Sequence, residues 1–367
     1  MNFQALKKKV DEHKIFWWCI TICLGMALRF IVMYVTNHID FSNWFTSGSI
    51  VAAGKNIYAN QRAYNYGPPF SMILGCLYKL TSGFANHALA FKTSLVSMLA
   101  LANLCLSWII VKKCGHLLGM LFFLNPVSII VDGQNNQFFV LAILLATWGI
   151  FLMNKTYEDK RFTINDVFGT LLLSLSLITK HIFWAFPLWI LMNANIPTRK
   201  KFLYAFVPPV LFLLSFVPYW SEGSQGIINN VFMYRSGNNY PLFALGIMNY
   251  YFGIYLPFQS KICFIIYIAL ISLGAYIFRH EKLTDSFLVY TICMVCFSSG
   301  IFGTYFVIPL AALFIYFKEK ALYFFIPEAT RFLAKGYSTG HIMYSLMVWC
   351  LVFYLIYYYR HYRRKKV

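Results

Sequence analysis

The chain has 367 residues, 60% hydrophobic and 20% aromatic, with only 12% charged, where soluble domains carry about a quarter charged residues. That balance excludes a soluble globular protein and fits an all-α polytopic membrane protein forming one integral-membrane domain over 1–367, since several apolar runs approach the roughly 20 residues a helix needs to cross a bilayer. The formal charge of +19 lies in short basic clusters between apolar runs, a pattern that reports orientation rather than a nucleic-acid partner.

The N-terminal segment 1–14 holds Lys7, Lys8 and Lys9 and is expected to be cytoplasmic. The first predicted span, 15–34, reads as an uncleaved signal anchor, because it is too long for a signal h-region and lacks a small-x-small cleavage site. It delivers Asp40 to the outer side, at the head of the first long polar interruption, DFSNWFTSGSIVAAGKNIYANQRAYNYGPP over 40–69. The next apolar piece, 69–80, is about a dozen residues long, opens on Pro68-Pro69 and ends at Lys79. The basic clusters decide whether it crosses. If it does, Lys112 and Lys113, the 155–161 run, the 199–201 cluster and the 279–282 run all fall outside. If it lies in the outer interface, all of them join Lys7 to Lys9 inside, as the charge rule requires. Its length also suits an interfacial helix better than a span. The first extracytoplasmic loop therefore covers 35–92 and contains two interfacial helices.

Further spans are predicted at 93–111, 117–131, 138–153, 164–179, 182–192, 202–220, 262–278, 283–301, 305–317 and 343–359, with a partly amphipathic outer loop at 221–260. The apolar piece 321–327, within the segment 321–333, is short. If it stays on the surface, the basic tail 360–367 ends outside, which the charge rule disfavours, so the total is ten to twelve. The tail also suits contact with anionic lipid. Nearly all nine cysteines lie within apolar runs. Cys293 and Cys296 form a CxxC without a second pair, which reads as small apolar residues in a helix rather than a metal or redox site. The chain has no clear internal repeat, which weighs against transporters built from paired halves.

This topology gathers unusual polar residues at one membrane face: Asp40, Tyr64 and Tyr66, the polar turn 132–137 with Asp132, Gln134 and Asn135, then Lys180 and His181, Arg235 in the 234–240 loop, and Ser299, Gly300 and Thr304. Ionisable groups at membrane depth are costly and usually face an interior or a watery cavity. Each has a plainer reading. Asp40 caps a helix beginning near Phe41, the 132–137 turn satisfies its own backbone, Lys180 snorkels to the headgroups, His181 is a hydrogen-bonded helix-end residue, and Arg235 is a loop charge. Their convergence on one face points to a shared site.

Four short elements occur in order. An Asp after the first span is followed by Gly54 to Tyr58 (G-x-x-x-Y) and by Tyr64, Tyr66, Pro68 and Pro69. Asn125-Pro126 precedes Asp132-Gly133-Gln134-Asn135. Lys180 is followed by Pro187, and Thr304-Tyr305 by Pro309-Leu310. In these the chain resembles the GT-C superfamily of polyprenyl-phosphate-sugar-dependent membrane glycosyltransferases, with bacterial membrane mannosyltransferases and GPI mannosyltransferases nearest. It departs from their pattern at Thr304, where relatives often have Gln, and at Gly67, which interrupts the usual YPP. The resemblance implies a GT-C-like bundle of 10–12 transmembrane helices. It also implies transfer of a hexose, mannose or glucose, from a polyprenyl-phosphate sugar to an extracytoplasmic acceptor with inversion. Asp40 is then the general base, Lys180, His181 and Arg235 bind the donor phosphate, and Asp132, Gln134, Asn135, Tyr64 and Tyr66 bind sugar or acceptor. The first loop has no D-x-D or E-x-D, so no metal is expected, and no other cofactor. The expected partners are the lipid-linked donor, an acceptor that is a glycan, glycolipid or protein, and membrane lipids. The expected location is the bacterial plasma membrane, multi-pass, with the site on the extracytoplasmic face. The alternative is a polytopic transporter or lipid flippase, for which Asn103, Ser107, Ser174 and Ser176 inside predicted spans are the support. A non-enzymatic scaffold would need no such polar cluster.

Overall fold

Apolar runs punctuated by Asn, Gly and Pro fold into helix almost throughout. The computed structural model describes residues 3–36, 39–62, 64–134, 139–233, 260–298, 303–333 and 337–363. Among them the chain is 83% helical, with no strand. Four helical stretches are long and apolar enough to cross a membrane: Lys14–Val35, His87–Cys114, His116–Gly133 and Thr198–Phe232. Four shorter apolar helices accompany them, Phe139–Met153, Ile164–Thr179, Lys261–Ile277 and Leu283–Cys296.

The N-terminal half runs α1 (Phe3–Glu12), α2 (Lys14–Val35), α3 (Ile39–Ala52), α4 (Ile57–Asn60), α5 (Pro68–Thr81), α6 (His87–Cys114), α7 (His116–Phe123), α8 (Pro126–Gly133), α9 (Phe139–Met153) and α10 (Ile164–Thr179). The expected first loop thus holds two 14-residue helices, α3 and α5, which pack against each other. Pro68 and Pro69 start α5, where a missing N–H costs nothing. α6 begins at His87, earlier than the predicted span at 93, because the Asn86 side chain accepts from the Leu89 N–H and caps it. The predicted span 117–131 is broken between α7 and α8. The Asn125 side chain accepts from the Ser128 N–H and Pro126 opens the new helix.

The chain continues through α11 (Phe186–Met192), α12 (Thr198–Leu214), α13 (Trp220–Gly226), α14 (Ser260–Ile277), α15 (Leu283–Cys296), α16 (Leu310–Phe317), α17 (Phe325–Leu333) and α18 (Tyr337–Tyr358). The outer loop predicted from 221 is helical for its first dozen residues. α13 and a π-type turn, Ile227–Phe232, extend the run because Ile227 and Val231 are buried and the Phe232 ring packs 5.5 Å from Phe216.

A buried charge cluster ties α2, α6 and α8 together. Arg29 Nε lies 2.7 Å from Asp132 Oδ2, with the two side chains 0% and 1% exposed. Arg29 also donates to the Gly25 and Phe123 carbonyls and lies over the Phe123 ring, while Asn103 Nδ2 donates to the same Asp132 oxygen. A second buried pair, Lys200 and Asp166 at 2.8 Å, joins α12 to the start of α10, where Thr163 and Asp166 form a capping box. Removed from water, charges persist only when paired and hydrogen-bonded, and these contacts fix how the helices meet.

Candidate functional site

The site is built on α3. Asp40, Asn43, Trp44 and Ser47 recur at i, i+3, i+4 and i+7, so they share one helix face, and all four line a cavity of about 380 Å³. Asp40 is the second residue of α3, in its first turn, where the helix dipole favours a carboxylate. The opposite wall is the segment after α4, contributing Gln61, Arg62, Tyr64, Asn65 and Tyr66, and Asn230 comes from the turn beyond α13.

Two close approaches hold that wall in place. A Cβ on Gly67 would stand 1.5 Å from the Ile178 carbonyl oxygen, and the Gly67 N–H donates to the Thr179 carbonyl at 3.3 Å. Only glycine lets the chain lie this close to the end of α10. The Gly67 that interrupts the expected YPP element is thus the contact that seats the loop. On the other side, a Cβ on Gly226 would stand 2.0 Å from the Tyr58 carbonyl oxygen, so α13 packs directly on α4. Asn56 Nδ2 donates to the Tyr219 carbonyl at 3.0 Å across the same contact. The aromatic rings fill the space between. Trp44 meets Tyr66 and Phe70 edge-on at 5.1 and 5.3 Å, and the Tyr64 hydroxyl donates to the Gly67 carbonyl.

Lys180, one residue past α10, is 6% exposed and sits behind this wall. Its ammonium donates to the Asn65 carbonyl at 3.1 Å and to Asn65 Oδ1 at 2.9 Å, and lies 3.7 Å from the centre of the Tyr66 ring. Burial pushes its pKa down to about 7, and the charge of nearby Asp40 works the other way. His181 is pushed down to about 3 by burial and then by Lys180, so it is neutral at ordinary pH. Its ring packs against Phe212, and Nδ1 has no hydrogen-bond partner among the described residues.

The predicted residues therefore separate. Asp40, Tyr64 and Tyr66 line one cavity, and Lys180 reaches it through Asn65 and Tyr66. His181 and Gln134 are not part of the lining. Asp132, expected to hold sugar or acceptor, is engaged with Arg29 and Asn103 away from the cavity. Asn135, Arg235, Ser299 and Gly300 lie outside the described residues. Sequence reasoning missed Asn43, Ser47, Gln61, Arg62, Asn65 and Asn230. Helical spacing from Asp40 reaches Asn43 and Ser47 directly, Arg62 lies two residues before Tyr64, and Asn65 stands between Tyr64 and Tyr66. Arg29 was legible as the one charge within the apolar run 15–34.

The cavity thus offers a carboxylate, an exposed guanidinium from Arg62, carboxamides, and the buried Ser47 hydroxyl, which has no hydrogen-bond partner among the described residues. Among the described residues no group of three or more His, Cys, Asp or Glu is arranged to hold a metal ion. No family model, no curated protein and no solved structure matches the chain.

Proposed function

We propose that the chain is a multi-pass membrane glycosyltransferase of GT-C type, transferring a hexose from a polyprenyl-phosphate sugar to an extracytoplasmic acceptor. The observation that carries this reading is one cavity walled by Asp40 and Arg62, with Lys180 held directly behind it. The reaction needs a base and a cation at the same place, and the sequence separates them by as many as 140 positions. In the proposed step Asp40 takes the proton from an acceptor hydroxyl. That oxygen attacks the anomeric carbon, the bond from this carbon to the phosphate oxygen breaks, and polyprenyl phosphate leaves with the electron pair, inverting the configuration. Negative charge builds on the leaving phosphate, so a preorganised cation lowers the barrier. Arg62 is the cation on the cavity wall, and Lys180 adds its field from behind Asn65. Asn43, Ser47 and Asn230 are suited to sugar hydroxyls.

The transporter or flippase reading would be favoured by ionisable groups lining a path. The Arg29–Asp132 pair is instead closed on itself and buried. The test uses purified protein with short-chain polyprenyl-phosphate mannose or glucose and a panel of acceptors. Asp40→Asn is expected to lower transfer by about 10²–10⁴-fold, the usual contribution of a general base, with unchanged thermal unfolding. Equal transfer by both proteins removes Asp40 as the base. Absence of transfer, together with substrate flux into vesicles, replaces the enzyme with a transporter.

A further inference from the structure

A second cavity, of about 250 Å³, opens between the end of α16 and α18, far in sequence from the first. Its lining is Phe317, Cys350, Phe353, Tyr354 and Tyr357, with Lys320 as the one charged side chain. The chain reverses at Lys318, whose φ of 51° lies in a region non-glycine residues rarely adopt. The Tyr354 hydroxyl then donates to the Lys320 carbonyl, which pins that turn against α18. The Lys320 ammonium lies 5.1 Å from the centre of the Tyr357 ring, and the His361 ring stacks on Tyr357 at 4.0 Å. Lys318, Lys320, Arg360 and His361 are all exposed, with Glu319 the exposed acid between the two lysines, while Asp285 accepts from the Tyr316 hydroxyl and Glu281 is buried.

From this basic end an apolar stripe descends α18. Leu346, Cys350, Phe353 and Tyr357 repeat at helical spacing, with Phe353 66% exposed and Leu346 42%. Residues 346–357 cover about 16 Å at the helix rise of 1.5 Å per residue, close to half of a hydrocarbon core about 30 Å thick. The charge at one end and the apolar length of a single leaflet are complementary to one kind of molecule.

We propose that this groove binds an anionic phospholipid, with an acyl chain along the 346–357 stripe and its phosphate at the Lys320 end. Basic pockets between membrane helices take such headgroups. The proposal rests on the chain crossing a membrane, and not on the transfer reaction.

The test is photo-crosslinking in nanodiscs of phosphatidylcholine, using matched diazirine-labelled phosphatidylglycerol and phosphatidylcholine probes. The phosphatidylglycerol probe is expected to label the 346–357 region, and unlabelled phosphatidylglycerol, but not phosphatidylcholine, to compete it away. Lys320→Gln, at an exposed position, is expected to reduce labelling about five-fold, and Cys350→Trp to block it by filling the groove. Equal labelling by both probes, unaffected by competitor, would mean a passing lipid annulus and overturn the proposal. So would a dimer in native mass spectrometry that Cys350→Trp dissociates, since a second copy would then cover the groove. Wild-type competition decides the matter even if a variant fails to fold.

Discussion

Asp40 and Lys180 carry opposite burdens. Asp40 gains from its place in the first turn of α3 and from facing a polar cavity. Lys180 is kept from water, and its folded pKa of about 7 lies below the ordinary 10.5. Between those two values the unfolded chain holds more protons than the folded one, so this site's contribution to stability rises with pH from about 7 to 10.5 and is least favourable below about 7. The melting temperature of wild type minus that of Lys180→Met is therefore expected to increase between pH 7 and 10, and an unchanging difference would mean that Lys180 stays charged throughout. Arg29 is a different case, because its charge is fully partnered. Arg29→Met leaves Asp132 buried without its counter-ion and is expected to cost about 3–5 kcal/mol, read from unfolding in a denaturing detergent. The double variant Arg29→Met/Asp132→Leu is expected to cost clearly less, because no uncompensated charge remains.

At the scale of elements, the site depends on contacts with no room for a side chain. The loop from Gln61 to Gly67 is seated on α10 by Gly67 and braced by α13 on α4 through Gly226. Gly67→Ala would drive a methyl into the Ile178 carbonyl and lift Asn65 and Tyr66 from Lys180. The expected cost is about 1–3 kcal/mol of stability, with a larger proportional loss of transfer than the lowered stability explains. Gly83→Ala is the control, since nothing lies within 4 Å of a Cβ there, and it should leave both stability and transfer unchanged. Of the two 14-residue helices of the first loop, α5 was legible from its length and its Pro-Pro start, and α3 only as a helix expected to begin near Phe41. The packing of α3 on α5 was not, because an apolar dozen reads alike whether it faces lipid or another helix.

For the whole molecule, the orientation rests on the basic clusters. Lys55 and Lys113 are both exposed and lie on opposite sides of the membrane in the proposed topology. In a background with the exposed Cys19, Cys23 and Cys76 replaced by Ser, Lys55→Cys is expected to react with an impermeant thiol reagent from outside, and Lys113→Cys only after permeabilisation. Labelling of position 113 from outside would reverse the placement of α5 and everything after it. Gly133 cannot serve as a reporter, because a Cβ there would stand 2.7 Å from the Val32 side chain.

Composition and hydropathy by themselves determined the helical class, most helix positions and the polar residues worth attention, because the apolar period and the Asn, Gly and Pro punctuation act locally. Predicted ends failed at Phe232, where contact with Phe216 extended the helix, and at Asn125, where the Asn cap and Pro126 broke an apolar run that reads as continuous. Which polar residues meet was decided only by the tertiary structure. Asp132 and Asp40 are both carboxylates at the ends of apolar runs, yet Arg29 and Asn103 engage the first and the cavity receives the second. Gly67 reads as a flaw in a motif until Ile178 is seen beside it. Burial, pairing and close approach arise between residues far apart in the chain, and no local pattern encodes them.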